Sequence, residues 1–79
     1  MRIDKFLKVS RLIRRRTLAA EACDQGRVLI NNKTSKAGSA VKIGDTIEIL
    51  FGNSHVKVII KSISEHVKKD TSKEMYEIL

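Results

Sequence analysis

The sequence has no proline or tryptophan, one cysteine, two histidines and only three aromatic residues. Cys23 cannot form an internal disulfide, and with His55 and His66 it does not provide the ligands of a plausible zinc site. There is also no Gly/Ser-rich linker and no repeat, so nothing marks an internal domain boundary. We therefore expect a single domain over residues 1–79 that is stabilised without a disulfide or a structural metal.

Long hydrophobic stretches are missing as well. No run approaches the roughly 18 apolar residues that a helix needs to cross a bilayer. From Arg2 onward the N-terminus alternates charged and apolar side chains, unlike the apolar stretch of roughly 7–15 residues in a signal peptide. We therefore expect a cytoplasmic protein that does not associate with a membrane.

Recognisable catalytic arrangements are also absent. With 79 residues the chain has about half the typical length of a domain, which excludes most self-contained enzymes that bind a cofactor. The sequence shows no carboxylate pair, no Ser–His arrangement, no phosphate-binding glycine loop and no metal cluster. We predict that the protein is not an enzyme and has no cofactor.

The sequence does contain a strong and one-sided positive charge. Its net charge is +7, and residues 1–36 hold 10 basic and 3 acidic residues, whereas residues 37–79 hold 6 of each. The whole excess therefore lies in the first part of the chain. Such polarity favours an anionic partner, and nucleic acid is the commonest one.

Hydrophobic spacing predicts two helices in this basic part. Ile3, Phe6 and Leu7 follow the i, i+3, i+4 pattern of a short helix over residues 3–9. The same spacing recurs over residues 17–25, with Thr17 as a possible N-cap and Gly26 as a left-handed C-terminal stop.

Beyond Gly26 the pattern becomes that of β-strands separated by turns. Strands are predicted over residues 28–30, 33–35, 46–51, 56–63 and 75–79, with turns at Asn31-Asn32, at Gly44 and at residues 52–54. In residues 46–51, Ile47, Ile49 and Phe51 alternate with more polar positions and should form the buried face. The predicted fold class is α+β, with two short N-terminal helices packed on a small antiparallel β-sheet.

Basic side chains cluster around the predicted start of helix two. A helix N-terminus offers free N–H groups and a positive dipole end, which together with arginine forks favour phosphate oxygens. Phe6 is the one ring in residues 1–36 and fits the core, so the pattern favours backbone recognition of structured RNA over stacking on single strands. The candidate RNA-binding residues are Arg2, Lys5, Lys8, Arg11, Arg14, Arg15 and Arg16, extended across the first hairpin by Arg27, Lys33 and Lys36.

Four segments resemble a known RNA-binding family: residues 2–7 (RIDKFL), 16–19 (RTLA), 25–31 (QGRVLIN) and 41–47 (VKIGDTI). Their order is similar to the domain first defined in small-subunit ribosomal protein four, the S-four domain. The resemblance covers about residues 2–50 and implies an αL-type RNA-binding fold followed by a C-terminal β extension over about residues 51–79.

Within this family the basic opening of the chain looks most like the RqcP type of small protein. That resemblance implies binding to 23S rRNA and peptidyl-tRNA on obstructed large ribosomal subunits, in support of alanine tailing of stalled chains. An RqcH-type tailing factor is the further partner it suggests, and we expect the chain to be monomeric. Residue by residue, Arg2, Asp4 and Arg16 match family positions, as does Asn31, while Asn32 replaces the glycine of the family's turn. The resemblance adds Asn31 to the candidate RNA-binding residues and gives Asp4 a supporting role.

Several alternatives stay open at the level of sequence. The chain could be a heat-shock-type S-four protein that recycles large subunits carrying nascent chain–tRNA, or a ribosome assembly factor; a general nucleoid or membrane-surface protein is disfavoured. Asp4 could orient an arginine or merely complement the dipole of helix one. Cys23 lies among apolar positions and is expected to be a buried thiol, and His55 and His66 are expected in surface turns.

Overall fold

The computed structural model describes residues 1–65 and 71–79, so the prediction for His66 falls outside the described residues. In chain order the elements are α1 (Ile3–Val9), α2 (Arg16–Asp24), β1 (Val28–Ile30), β2 (Lys33–Thr34), β3 (Thr46–Phe51), β4 (Ser54–Ile60), a 3₁₀ turn (Ser72–Met75) and β5 (Tyr76–Ile78). Among the described residues, no helix is long and apolar enough to span a bilayer.

The strands form one antiparallel sheet in the order β2-β1-β3-β4-β5. Ile49 lies between Val28 of β1 and Val56 of β4, and Ile47 lies opposite Val58. Residues directly opposite one another share a face of the sheet, so these pairs build one apolar face. The two helices cover that face, which confirms the predicted α+β class.

The core joins the two helices to the sheet. Ile3, Phe6 and Leu7 of α1 are fully buried, as their spacing predicts. The other buried apolar side chains come from α2, from the strands and from the segments between them: Ala19, Cys23, Val28, Val41, Ile47, Ile49, Val58, Ile60 and Met75. The core therefore contains residues from both ends of the described chain, from Ile3 to Met75.

Turn residues lie where the sequence places them. Gly26 ends α2 with a φ of 75°. Asn31 and Asn32 both have positive φ, at 51° and 70°, and connect β1 to β2 as a two-residue hairpin turn. Asn32 thus adopts the left-handed conformation that the missing glycine would adopt more easily.

Three sequence expectations need correction. Helix α2 begins at Arg16, so Thr17 lies inside it; the N-cap is Arg15, because the Ala19 N–H already bonds to the Arg15 carbonyl at 3.0 Å. Phe51 is 41% exposed, because the buried face of β3 ends at Ile49, before the hairpin tip. Strand β4 spans Ser54–Ile60 and not the expected residues 56–63, so His55 is exposed as expected but lies in the strand, opposite Leu50, and not in a turn.

Candidate RNA-binding surface

A buried carboxylate organises the basic surface. Asp4 lies in the first turn of α1 with its side chain only 4% exposed. Its Oδ1 accepts a hydrogen bond from the Lys5 N–H at 2.8 Å. Its Oδ2 accepts one from Arg2 at 3.2 Å and lies 3.5 Å from Nε of Arg16. One oxygen thus holds two guanidinium groups from segments that are 14 residues apart in sequence.

Both arginines remain accessible while Asp4 holds them. The Arg2 side chain is 56% exposed and that of Arg16 is 46% exposed. A guanidinium has five N–H donors, so a contact with Asp4 leaves others free for a second anion. The pair can therefore contact phosphate without leaving the carboxylate.

The start of α2 supplies further positive potential. Arg14, Arg15 and Arg16 are all exposed, and the N-cap Arg15 makes no side-chain hydrogen bond to the helix. The first N–H groups of an α-helix have no partner within the helix. The predicted combination of arginines and a helix N-terminus is therefore present in the structure.

The loop between the helices bends at Arg11. Arg11 has a φ of 63°, a left-handed conformation that disfavours side chains other than those of Gly, Asn and Asp. The preceding Ser10 is buried, and its hydroxyl donates to the Leu7 carbonyl at 3.2 Å. Arg11 itself is exposed. The turn thus places an arginine on the surface at the end of α1.

The two lysines of α1 differ in their surroundings. Nζ of Lys5 lies 3.5 Å from a carboxylate oxygen of Glu65, so part of its charge is neutralised by the second half of the chain. Lys8 is exposed in the last turn of α1. Sequence spacing did not reveal the pairing with Glu65, because the two residues are distant along the chain.

The residues proposed on the first hairpin are arranged differently from the cluster around Asp4. Lys33 is exposed on β2, as is Lys36 just after this strand. Asn31 accepts a hydrogen bond from the Thr46 N–H at 2.9 Å and donates one to Asp45 at 3.1 Å. The side chain of Asn31 therefore joins two turns, and its contact with RNA stays a prediction.

Arg27 lies at the opposite end of α2 from Arg16. The nine residues of α2 separate the two ends by about 13 Å. The guanidinium of Arg27 donates to the Leu50 carbonyl at 3.3 Å and to the Gln25 side chain at 3.4 Å. Arg27 is thus fixed beside the end of β3, apart from the Arg2–Asp4–Arg16 cluster.

Sequence reasoning missed the segment that supports Arg2. The Ile3 N–H bonds to the Ser39 carbonyl at 2.7 Å, and the Val41 N–H bonds to the Met1 carbonyl at 2.9 Å. The guanidinium of Arg2 lies over Gly38, where an added Cβ would come within 3.8 Å of it. Sequence patterns did not reveal this support, because residues 38–41 are distant from Arg2 along the chain.

Cys23 belongs to the core, as expected. Its side chain is fully buried on α2. Burial raises the pKa of the thiol, although a hydrogen bond with Ser35 acts in the opposite direction. A protonated, inaccessible thiol is a packing group and has no part in the basic surface.

Comparison with known proteins identifies the family. The S4 domain model matches residues 1–47, which include both helices, the first hairpin and the cluster around Asp4. The chain belongs to the S4 domain family. This match confirms the S-four resemblance and ends inside β3, before the strands β4 and β5.

Relatives extend the S4 similarity over the whole chain. A protein of Halalkalibacterium halodurans named "RQC P-site tRNA stabilizing factor" is 53% identical over 78 residues, covering 99% of this chain and 89% of that protein. A protein of Bacillus subtilis with the same name is 52% identical over 79 residues, covering 100% and 92%. Heat Shock Protein 15 of Vibrio cholerae, described as trimeric, has a similar structure, with a TM-score of 0.92 and 28% identity over 100% of this chain and 81% of that chain.

Proposed function

We propose that this S4 protein acts in ribosome-associated quality control, where it binds structured RNA of the large ribosomal subunit together with tRNA. The observation that carries the proposal is the similarity over the full chain to proteins named RQC P-site tRNA stabilizing factor. The one-sided charge and the arginine cluster around Asp4 provide a surface with the chemistry that such binding needs.

On this surface, Arg2 and Arg16 contact the phosphate backbone while Asp4 fixes their orientation. Arg14 and Arg15 add charge beside the free N–H groups of α2. An A-form helix presents phosphates and 2′-hydroxyl groups at defined spacing and exposes little sequence information to side chains. Two guanidinium groups held at a fixed separation suit recognition of such a backbone by shape.

In the full proposal, the protein contacts 23S rRNA and peptidyl-tRNA on obstructed large subunits. It thereby supports the addition of C-terminal alanine to stalled chains, in concert with an RqcH-type tailing factor. It acts as a monomeric, non-enzymatic RNA-binding protein of the cytoplasm. Residues 2–50 supply the RNA-binding surface, and strands β4 and β5 complete the core beneath it.

A second candidate function is the recycling of large subunits that carry nascent chain–tRNA, as a heat-shock-type protein. The structural similarity to Heat Shock Protein 15 supports this second candidate function. Assembly of ribosomal subunits is a third candidate. The three functions place the protein on different particles or give it different products, so an experiment can separate them.

The deciding experiment combines sedimentation with analysis of stalled chains. In lysates of cells expressing a stalling reporter, we expect the protein in fractions of large subunits that hold peptidyl-tRNA. In a deletion strain we expect the reporter to lose its alanine tails, detected by mass spectrometry. Complementation with Arg16→Ala should fail, whereas complementation with Lys73→Ala, which removes an exposed charge from the neutral half, should succeed.

Other results would contradict the proposal. Sedimentation with immature subunits alone would favour assembly. Normal alanine tails in the deletion strain, together with accumulated large subunits carrying nascent chain–tRNA, would favour the heat-shock-type function.

A further inference from the structure

A second feature of the surface is a groove between α2 and the end of β3. Its volume is about 270 Å³, and its apolar lining includes Ile13, Leu18, Ile49, Leu50 and Phe51. Leu18 is 51% exposed and Phe51 is 41% exposed. Large apolar side chains exposed together in a concave site commonly mark a binding site.

Polar groups at the rim of the groove are held in place. Arg27 lines the groove. Its hydrogen bonds to the Leu50 carbonyl and to the Gln25 side chain hold its guanidinium beside the end of β3. Gln25 and Glu21 also line the groove and offer donors and acceptors. The groove therefore combines an aromatic ring, a planar cation and polar groups.

We propose that this groove binds an unpaired nucleobase of the RNA held by the arginine cluster, a proposal that rests on the proposed RNA-binding function. Proteins bind splayed-out bases by stacking them on aromatic rings or guanidinium planes and by hydrogen bonds to the base edges. Phe51 and Arg27 supply the two kinds of planar surface, and Gln25 and Glu21 supply the edge contacts.

The charges of Glu21 and Arg27 in the lining balance, and the arginines beside the groove favour RNA over an apolar peptide as the occupant. Leu18 follows Arg15 by three residues, which is about one turn of helix, so the groove opens beside the arginines at the start of α2. A base in the groove would therefore have its flanking phosphates near cations. An apolar peptide would gain nothing from these charges.

The experiment measures binding to a panel of RNA hairpins with an unpaired adenine at successive stem positions, each compared with the fully paired hairpin. At the best position we expect the protein to bind about 10-fold tighter than to the paired stem. Phe51→Ala should abolish this preference, a loss of about 10-fold on the bulged RNA, and leave binding to the paired stem unchanged. Phe51→Tyr, which keeps a ring, should retain the preference.

Controls separate this proposal from the RNA-binding function itself. Arg16→Ala should weaken binding to bulged and paired hairpins equally, and thermal unfolding should show that all variants are folded. Tight binding without any preference for an unpaired base, or an equal effect of Phe51→Ala on both RNAs, would overturn the base site and leave the RNA-binding function intact. Failure to bind any hairpin would overturn both.

Discussion

At the scale of single residues, the placement of Asp4 is the least expected feature of this basic surface. An acidic side chain repels phosphate, and burying a carboxylate is costly unless it is paired and hydrogen-bonded. Asp4 satisfies both conditions through the Lys5 N–H and the guanidinium groups of Arg2 and Arg16. The contacts favour the interpretation that Asp4 orients arginines, beyond any effect on the dipole of α1.

Replacing Asp4 with Asn gives the clearest test of this orienting role. Charge alone predicts tighter RNA binding, because the net charge rises by one. If Asp4 orders the two arginines, Asp4→Asn should instead weaken binding by about 3- to 10-fold, the loss expected when an ion pair worth up to about 1 kcal/mol no longer holds them.

Equilibrium binding to structured RNA at fixed salt measures the effect of Asp4→Asn. Glu74→Gln, which neutralises an exposed acid in the 3₁₀ turn, is the matched control and should leave affinity unchanged or slightly increased. Tighter binding by Asp4→Asn would show that the carboxylate merely opposes the RNA.

Arg16 is the arginine whose loss should matter most for RNA binding. Arg16→Ala removes a charge-assisted phosphate contact worth roughly 1.5–3 kcal/mol, so affinity should fall by about 10- to 100-fold. Asp4 would still be paired with Arg2, so the free energy of unfolding should fall by less than about 1 kcal/mol.

RNA titrations and thermal midpoints of Arg16→Ala and Lys73→Ala provide the comparison. Equal, small losses of affinity would mean that the arginines form only a solvated surface. Unfolding of Arg16→Ala would mean that Arg16 is required for the fold itself.

At the scale of elements, the end of α1 adopts a conformation that its residue disfavours. Arg11 has a φ of 63°, where a glycine would lack the clash between Cβ and the backbone. We expect Arg11→Gly to be about 1 kcal/mol more stable than Arg11→Ala, since both lose the charge and only the alanine keeps the clash.

Denaturant unfolding of the two Arg11 variants measures this difference, and RNA titration measures the role of the charge. Both variants should bind RNA less tightly than the wild type, and by a similar factor. Equal stability of the two variants would mean that the turn accommodates a Cβ at residue 11 without backbone strain.

Two turns of the sheet are joined by Asn31 and Asp45, and this junction should respond to acid. Burial raises the pKa of Asp45, but hydrogen bonds from Asn31 and from the N–H and Nζ of Lys42 outweigh it and hold the pKa below its usual value. The stability that the charge contributes is therefore present above the unfolded pKa of about 3.9 and is lost as the pH falls through the lower folded pKa.

Thermal midpoints between pH 6 and 2, measured for the wild type and Asp45→Asn, test the role of the Asp45 charge. The wild type should be the more stable protein at pH 6, and its advantage should shrink below about pH 4. A difference that stays constant with pH would mean that Asp45 acts through hydrogen bonds that do not need its charge.

At the scale of the whole molecule, the basic surface depends on strands outside the region that the S4 model matches. The match ends at residue 47, yet Val58, Ile60 and Met75 belong to the same buried cluster as Ile3 and Phe6. A small domain buries only a modest fraction of its surface and has little stability to lose. The second half of the chain, although neutral in charge, completes the core on which the basic half rests.

The polarity of the whole molecule predicts steeply salt-dependent RNA binding. The excess of seven positive charges lies in residues 1–36. We therefore expect the bound protein to neutralise about six phosphates. Affinity should then fall on the order of 1,000-fold between about 50 and 200 mM salt. Filter binding or fluorescence anisotropy across this range measures the slope, and a flat titration would contradict binding through the basic surface.

The sequence by itself determined the features that depend on neighbouring residues. The apolar spacing around Phe6 located α1, Gly26 located the end of α2, and Asn31-Asn32 located the hairpin turn. Each of these signals reflects the conformational preference of a short segment, such as a left-handed turn or one apolar face of a helix. The charge count likewise located the basic half without any structure, because charge is a property of composition.

Only the tertiary structure decided which distant groups meet. The convergence of Arg2 and Arg16 on Asp4, the pairing of Lys5 with Glu65 and the exposure of Phe51 all depend on how α1, α2 and the sheet pack together. Strand alternation indicates which face a residue occupies, but it does not reveal where the covering helices end. The chain's sequence thus specified a basic surface, whereas packing specified which of its side chains share a carboxylate and which line the groove.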